Sequence, residues 1–78
     1  MITADKIRRL AYLDIQSLEE ALRRNYPKDS IDAANFVGIT NAGEFCYSIK
    51  YYDEQLEEHL TSKLFVALGE DNEPVADY

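Results

Sequence analysis

Hydrophobic positions in the first third of the chain recur at the spacing of a helix, about 100° per residue. One apolar stripe contains Ile7, Ala11, Ile15, Leu18 and Leu22, with Tyr26 at its edge. Thr3 is a suitable N-cap, and Asp5 places negative charge in the first turn. Pro27 disfavours helical geometry at the residue before it. The pattern therefore predicts one amphipathic helix over residues 4–25, followed by a connector over 27–34.

Beyond the connector the hydrophobic period changes to the two-residue alternation of a strand. Residues 35–40 predict one strand, and residues 41–43 predict a turn, since Asn41 and Gly43 tolerate positive φ. Residues 44–52 give the clearest strand. One of its faces carries Phe45, Tyr47, Ile49 and Tyr51, and the other carries Glu44, Cys46, Ser48, Lys50 and Tyr52.

Residues 53–62 permit two interpretations. Asp53 could cap a short helix, or a turn could lead into a strand over residues 58–68. We favour the turn and strand, because Leu60, Leu64, Val66 and Leu68 alternate with the residues between them. A polar turn follows at 69–73, and 74–78 suits an edge strand, where Pro74 is tolerated.

The predicted fold class is α+β, in a single small acidic domain over residues 1–78. One N-terminal amphipathic helix packs on a three- to four-stranded antiparallel sheet, a meander because the links are short. No further predicted element remains to cover the other face of the sheet.

Bulk composition favours an intracellular, cytoplasmic protein. The chain has 78 residues, 46% of them hydrophobic, and one cysteine, so no disulfide can form within it. We expect no membrane span, since no run approaches ~20 apolar residues. The first residues also lack the apolar run of a secretory signal.

Charge is distributed unevenly. The chain has 8 basic and 15 acidic residues. Residues 1–34 hold six of each, which leaves two basic and nine acidic residues in 35–78, so the net charge of −7 lies in the second half. Such a half repels phosphate backbones and attracts basic surfaces. We therefore expect no direct binding to nucleic acid, and a partner that presents a basic surface.

Catalytic chemistry is not predicted. His59 is the only histidine, and Cys46 shows no cysteine–histidine signature. The acidic turns lack the ligand spacing of a calcium loop, and the glycines form no phosphate-binding motif. We expect no catalytic residues, no metal site and no cofactor, and we interpret the protein as a non-enzyme.

Six tyrosines are the remaining unusual feature, because tyrosine combines a large rigid contact area with a polar tip and is enriched at interfaces. With the surplus carboxylates they define the predicted partner-binding residues. These are Glu44, Tyr51, Tyr52, Asp53, Glu54, Glu57, Glu58, Glu70, Asp71 and Glu73.

The first functional hypothesis is a protein-binding inhibitor or modulator that docks this half on a basic surface of a larger, nucleic-acid-handling protein. Carboxylates at strand spacing could imitate a row of phosphates. Small acidic proteins that phages make against host defence nucleases (anti-CRISPR-like proteins) are an analogy of size and charge. The alternative is a homodimeric structural or assembly subunit that uses the uncovered sheet face.

Overall fold

The computed structural model describes residues 3–26 and 30–78. Within them the chain forms two helices and then four strands. The elements are α1 (Ala4–Ala11), α2 (Ile15–Leu22), β1 (Ile31–Ile39), β2 (Phe45–Asp53), β3 (Glu58–Leu68) and β4 (Pro74–Asp77). The strands form one antiparallel sheet in the order β1-β2-β3-β4. The predicted α+β class is confirmed, and neither helix is long and apolar enough to cross a membrane.

The single N-terminal helix of the prediction is two helices instead. Asp14 begins α2 as its N-cap, and its carboxylate accepts a hydrogen bond from the Ser17 N–H at 2.8 Å. At the break, the last carbonyls of α1 and the first N–H groups of α2 lose the partners that a continuous helix would give them. The Tyr47 hydroxyl replaces two of these missing partners, since it donates to the Leu10 carbonyl and accepts from the Leu13 N–H at 3.3 Å. Burial raises the pKa of this tyrosine, so the hydroxyl keeps its proton.

The break changes which helical residues are buried. Leu10, Leu18 and Leu22 are fully buried, whereas Ile7 and Ile15 of the predicted stripe are 39% and 37% exposed. α2 also ends at Leu22 rather than at residue 25, and its last turn closes with backbone hydrogen bonds to the Leu22 carbonyl.

The alternating pattern located three of the four strands well. β3 has the predicted bounds, so the short-helix interpretation of residues 53–62 is wrong. β2 begins and ends one residue later than predicted, and β4 ends one residue earlier. β1 begins at Ile31 rather than at residue 35. Bulges at Asp32 and Val37 interrupt its alternation, and for that reason the sequence pattern did not indicate its first residues. The connector residues 27–29 lie outside the described residues.

The β1–β2 and β3–β4 turns share one backbone design. In residues 40–44 and in residues 69–73, the N–H of the first residue donates to the carbonyl of the fifth, and its carbonyl accepts from the N–H of the fourth, at 2.8–3.0 Å. The fourth residue has positive φ in both cases, Gly43 at 83° and Asn72 at 63°. Glycine and asparagine adopt this conformation at little cost. Both turns lie at the same end of the sheet because the strands form a meander.

The buried side chains of the helices and of one sheet face belong to a single cluster. Its largest members are Leu10, Leu18, Leu22, Phe45, Tyr47, Ile49, Leu64 and Val66. The register assigns Ser48, Lys50, Tyr52, Thr61 and Lys63 to the opposite face. These five residues are outside the cluster and are exposed or half-buried. We call this side of the sheet the open face.

Candidate protein-binding surface

The meander separates the predicted partner-binding residues into two groups. The β2–β3 end of the sheet carries Tyr51, Tyr52, Asp53, Glu54, Glu57 and Glu58. The opposite end, here called the two-turn end, carries Glu44, Glu70, Asp71 and Glu73. β2 runs from one end of the sheet to the other over nine residues, roughly 30 Å at the usual rise per residue. The structure therefore brings together six of the ten predicted residues at one end and four at the other.

At the two-turn end, two of the four carboxylates are paired with arginines, one on α1 and one just after α2. The Arg24 guanidinium donates to both carboxylate oxygens of Asp71, at 3.1 and 2.9 Å. Arg9 lies 4.0 Å from the carboxylate of Glu73. The hydrogen bond from Arg24, followed by one from the Glu73 N–H, lowers the pKa of Asp71. These contacts border a cleft of about 290 Å³ between α2 and the β3–β4 turn.

At the β2–β3 end, the turn is held by its own backbone and side chains. The carboxylate of Asp53 accepts hydrogen bonds from the N–H groups of Gln55 and Leu56, at 2.9 and 3.1 Å. Glu57 has φ of 53°, a conformation that costs a glutamate free energy relative to glycine. The turn thus has a fixed shape that does not depend on contacts with the helices.

The glutamates of this turn make no ion pair with any described residue. The ion pairs within residues 3–26 and 30–78 join Arg9 to Glu73, Arg24 to Asp71 and His59 to Asp32, and none reaches Glu54, Glu57 or Glu58. Leu56 lies at the tip between them and is 60% exposed. An exposed leucine surrounded by carboxylates was not among the predicted partner-binding residues, although its place in a predicted turn could have indicated it.

A cleft of about 340 Å³ adjoins this turn. Its lining includes Ser30, Tyr51, Tyr52, Asp53, Glu54 and Tyr78. Tyr78 stacks on the rings of Tyr51 and Tyr26, with centroid distances of 5.7 and 4.8 Å. The cleft therefore combines aromatic walls with two carboxylates. Sequence reasoning had not assigned Tyr78 to the site, because only the folded chain brings its ring against that of Tyr51.

The strand positions that form the open face carry none of the predicted partner-binding carboxylates. They hold Lys50 and Lys63, the two basic residues of the acidic half. His59 lies there on β3, 3.0 Å from the carboxylate of Asp32 and next to the ring of Tyr52. The pairing of His59 with Asp32 was not predicted, because Asp32 was assigned to the connector over residues 27–34 rather than to β1.

Cys46 is buried on the open-face side of β2 and is a free thiol. Among the described residues, no three histidine, cysteine or carboxylate side chains are grouped so that they could hold a metal ion. The chemistry that the described surface offers is thus concentrated at the two acidic ends.

No protein-family model matches the chain, and neither a curated protein nor a solved structure shows a significant similarity to it.

Proposed function

We propose that the protein is a non-enzymatic modulator that binds a basic surface of a larger protein through its β2–β3 end. The observation that supports this most strongly is the turn over residues 53–58. It presents four carboxylates. Three of them, those of Glu54, Glu57 and Glu58, have neither an ion-pair partner nor a hydrogen-bond partner among the described residues.

Electrostatics favours this end over the two-turn end. Asp71 and Glu73 already face arginines of the same chain, so a basic partner would have to compete with Arg24 and Arg9. Glu54, Glu57 and Glu58 face solvent and retain their full attraction for an incoming cation. Unpaired surface charge of one sign accelerates association with a partner of the opposite sign.

The cleft supplies the contact area that charge alone lacks. Tyrosine side chains pack against the aliphatic stems and the cationic groups of lysine and arginine. With Tyr51, Tyr52 and Tyr78 beside Asp53 and Glu54, the cleft suits a lysine or arginine side chain of the partner. We therefore infer that the β2–β3 turn sets the electrostatic attraction and the cleft fixes the register.

A nucleic-acid-handling protein remains our proposal for the partner, since such proteins expose basic surfaces. We do not propose that the carboxylates imitate a row of phosphates along the whole sheet. The carboxylates form two separate groups, and Lys50 and Lys63 lie on the open face between the ends. A single acidic end suits the capture of one basic patch or loop.

The experiment compares two variants of equal net charge. Glu57→Lys with Glu58→Lys alters the β2–β3 end, and Glu44→Lys with Glu70→Lys alters the two-turn end by the same amount. Immobilised wild type and both variants, each checked for folding by circular dichroism, are exposed to lysate, and the captured proteins are quantified by mass spectrometry. We expect a protein with a basic surface to be retained by wild type and by the two-turn variant, and to be lost from the β2–β3 variant.

Salt gives the second arm of the test. Raising ionic strength from about 0.05 to 0.5 M should release the captured protein, because exposed charges are screened over a shorter distance. If the β2–β3 variant captures the same proteins as wild type, or the complex ignores salt, this end is not an electrostatic docking site.

A further inference from the structure

The two outer strands of the sheet differ in how their edges are occupied. β4 is closed to another strand. Pro74 has no N–H to donate, the Asn25 side chain donates to the Ala76 carbonyl at 3.1 Å, and the Tyr26 hydroxyl donates to the Asp77 carboxylate at 2.7 Å. The chain following α2 thus protects this edge.

The edge of β1 has no such proline or side-chain hydrogen bonds over most of its described length. It is nine residues long, contains neither proline nor lysine, and has Asp32 as its single charge. Glu19 accepts the Ile31 N–H at 2.8 Å and so covers the first residue. Beyond Ile31, no described residue outside β2 donates to or accepts from the backbone of this strand. An edge of this kind is a template for a further strand.

The exposed side chains of β1 are Asp32, Ala33, Asn35, Phe36, Val37 and Ile39, and three of them are large and apolar. Phe36, Val37 and Ile39 are 42%, 57% and 42% exposed, although strands at a solvated edge usually carry charge. Pairing with another strand would remove them from water and satisfy the unpaired backbone groups at the same time. The occupant must then be an extended, largely uncharged segment.

We propose that this segment is β1 of a second copy of the chain, paired antiparallel about a two-fold axis at Asn35. Residues opposite each other in such a pair share a sheet face. With Asn35 opposite its own copy, Ala34 lies opposite Phe36 and Ile31 lies opposite Ile39. All four are on the helix-bearing face by their register with β2, so Ala34 meets the larger Phe36, the two isoleucines meet each other, and both faces continue across the axis.

Other registers fit less well. A one-residue shift would set helix-side residues against open-face residues and reverse the apolar pattern. Sliding by two residues toward the start of β1 would set Phe36 against Asp32. In the proposed register Asp32 lies opposite Gly38, and the two copies of Asp32 are about 20 Å apart at the usual rise. The single charge on the strand is therefore compatible with self-pairing in this register.

Ionic strength separates this inference from the proposed function, on which it does not rest. Two chains of net charge −7 repel each other, so added salt should strengthen the dimer. Binding of a basic partner at the β2–β3 end should weaken under the same change. Failure of either proposal therefore leaves the other open to its own test.

The experiment places a cysteine at the proposed axis. Asn35→Cys sets two thiols opposite each other at a separation that permits a disulfide. Thr61→Cys, on an exposed position of the inner strand β3, is the matched control. Under mild oxidation we expect at least about tenfold faster disulfide dimerisation of Asn35→Cys than of Thr61→Cys or of wild type, whose Cys46 is buried.

Analytical ultracentrifugation over a concentration and salt series supplies the second measurement. Wild type should form a dimer more readily at 0.5 M than at 0.05 M salt, and Val37→Lys should raise the dimer dissociation constant at least about tenfold. Val37 is exposed, so this variant should fold, as its circular dichroism can verify. A monomer at all concentrations, equal cross-linking at positions 35 and 61, or a dimer unaffected by Val37→Lys would overturn the proposal. Binding of β1 to a peptide of another protein without self-association would do the same.

Discussion

The two ends of the sheet carry similar numbers of carboxylates and use them differently. At the two-turn end, Asp71 and Glu73 face the arginines of the helical segment and connect the sheet to it. At the β2–β3 end, the glutamates have no such partners among the described residues, and Asp53 organises its own turn. The same residue type thus serves as an internal counter-charge at one end and as an available surface at the other. Net charge alone cannot distinguish these uses.

The largest expected effect concerns the helix break that borders the two-turn end. Tyr47→Phe removes the hydroxyl that serves both the Leu10 carbonyl and the Leu13 N–H. Tyr47 is only 2% exposed, so water cannot readily replace that hydroxyl. We expect a loss of about 1–3 kcal/mol in the free energy of unfolding, measured by urea denaturation.

Tyr52→Phe is the matched control at the other end, because Tyr52 is 42% exposed on the open face. Its expected effect is within about 0.5 kcal/mol. If the two substitutions had equal effects, the Tyr47 hydroxyl would not be what stabilises the break between α1 and α2.

The second prediction concerns backbone strain in the two kinds of turn. Glu57→Gly relieves a non-glycine residue at φ of 53° and should stabilise the fold by about 0.5–1 kcal/mol. Asn72→Gly, at φ of 63° in the β3–β4 turn, should gain only a few tenths of a kcal/mol, since asparagine tolerates this conformation. Thermal unfolding of both variants measures the difference.

Glu54→Gly controls for the loss of a charge from the same turn, because Glu54 does not have positive φ. It should bring no gain in stability, since glycine there only adds freedom to the unfolded chain. A gain as large as that of Glu57→Gly would show that relief of charge repulsion, rather than relief of strain, dominates at the β2–β3 end.

Much of the sheet could be predicted because its pattern is local. Alternation along residues 44–52 and 58–68 reports directly which side chains face the core, and β2 and β3 carry the most regular ladder of the sheet. β1 was placed late because its two bulges shift the alternation, so that Ile31 and Ala34 share a face despite an odd spacing. A bulge is visible only from the partner strand.

The helix break and the charge pairing depend on contacts that sequence periodicity does not register. Tyr47 reaches Leu10 and Leu13 across more than thirty residues, and Arg24 reaches Asp71 across 47. The i,i+4 spacing of Glu20 and Arg24 in the sequence favours an ion pair within the predicted helix over residues 4–25. The structure instead joins Arg24 to the β3–β4 turn, and Glu19 accepts a hydrogen bond from Ile31. The division of the predicted site into a paired and an unpaired end follows from these contacts.

The smallest expected effect is the pH dependence of the stability that the Asp71–Arg24 ion pair contributes at the two-turn end. The Arg24 guanidinium holds the pKa of Asp71 below its ordinary value of 3.8. A carboxylate whose pKa is lower in the folded state adds stability above the ordinary value, and that contribution disappears as pH falls through the folded-state pKa. Asp71→Asn should therefore be less stable than wild type near neutral pH, and the difference should shrink as pH falls below the ordinary value of 3.8. The pair is exposed, so solvent screening keeps the difference small.

Arg24→Gln distinguishes the ion pair from the other bonds of the turn. It removes the main cause of the lowered pKa of Asp71 and leaves the hydrogen bond from the Glu73 N–H in place. In this background Asp71→Asn should produce a smaller change in stability, and the change should depend less on pH. The lowered pKa of Asp14, which arises from its N-cap bond to Ser17, contributes equally to all four proteins and cancels in the comparison. An Asp71→Asn effect that keeps its full size without Arg24 would mean that the two-turn end is held by its backbone, as the β2–β3 end is, and the contrast between the ends would then lie only in the position of their charges.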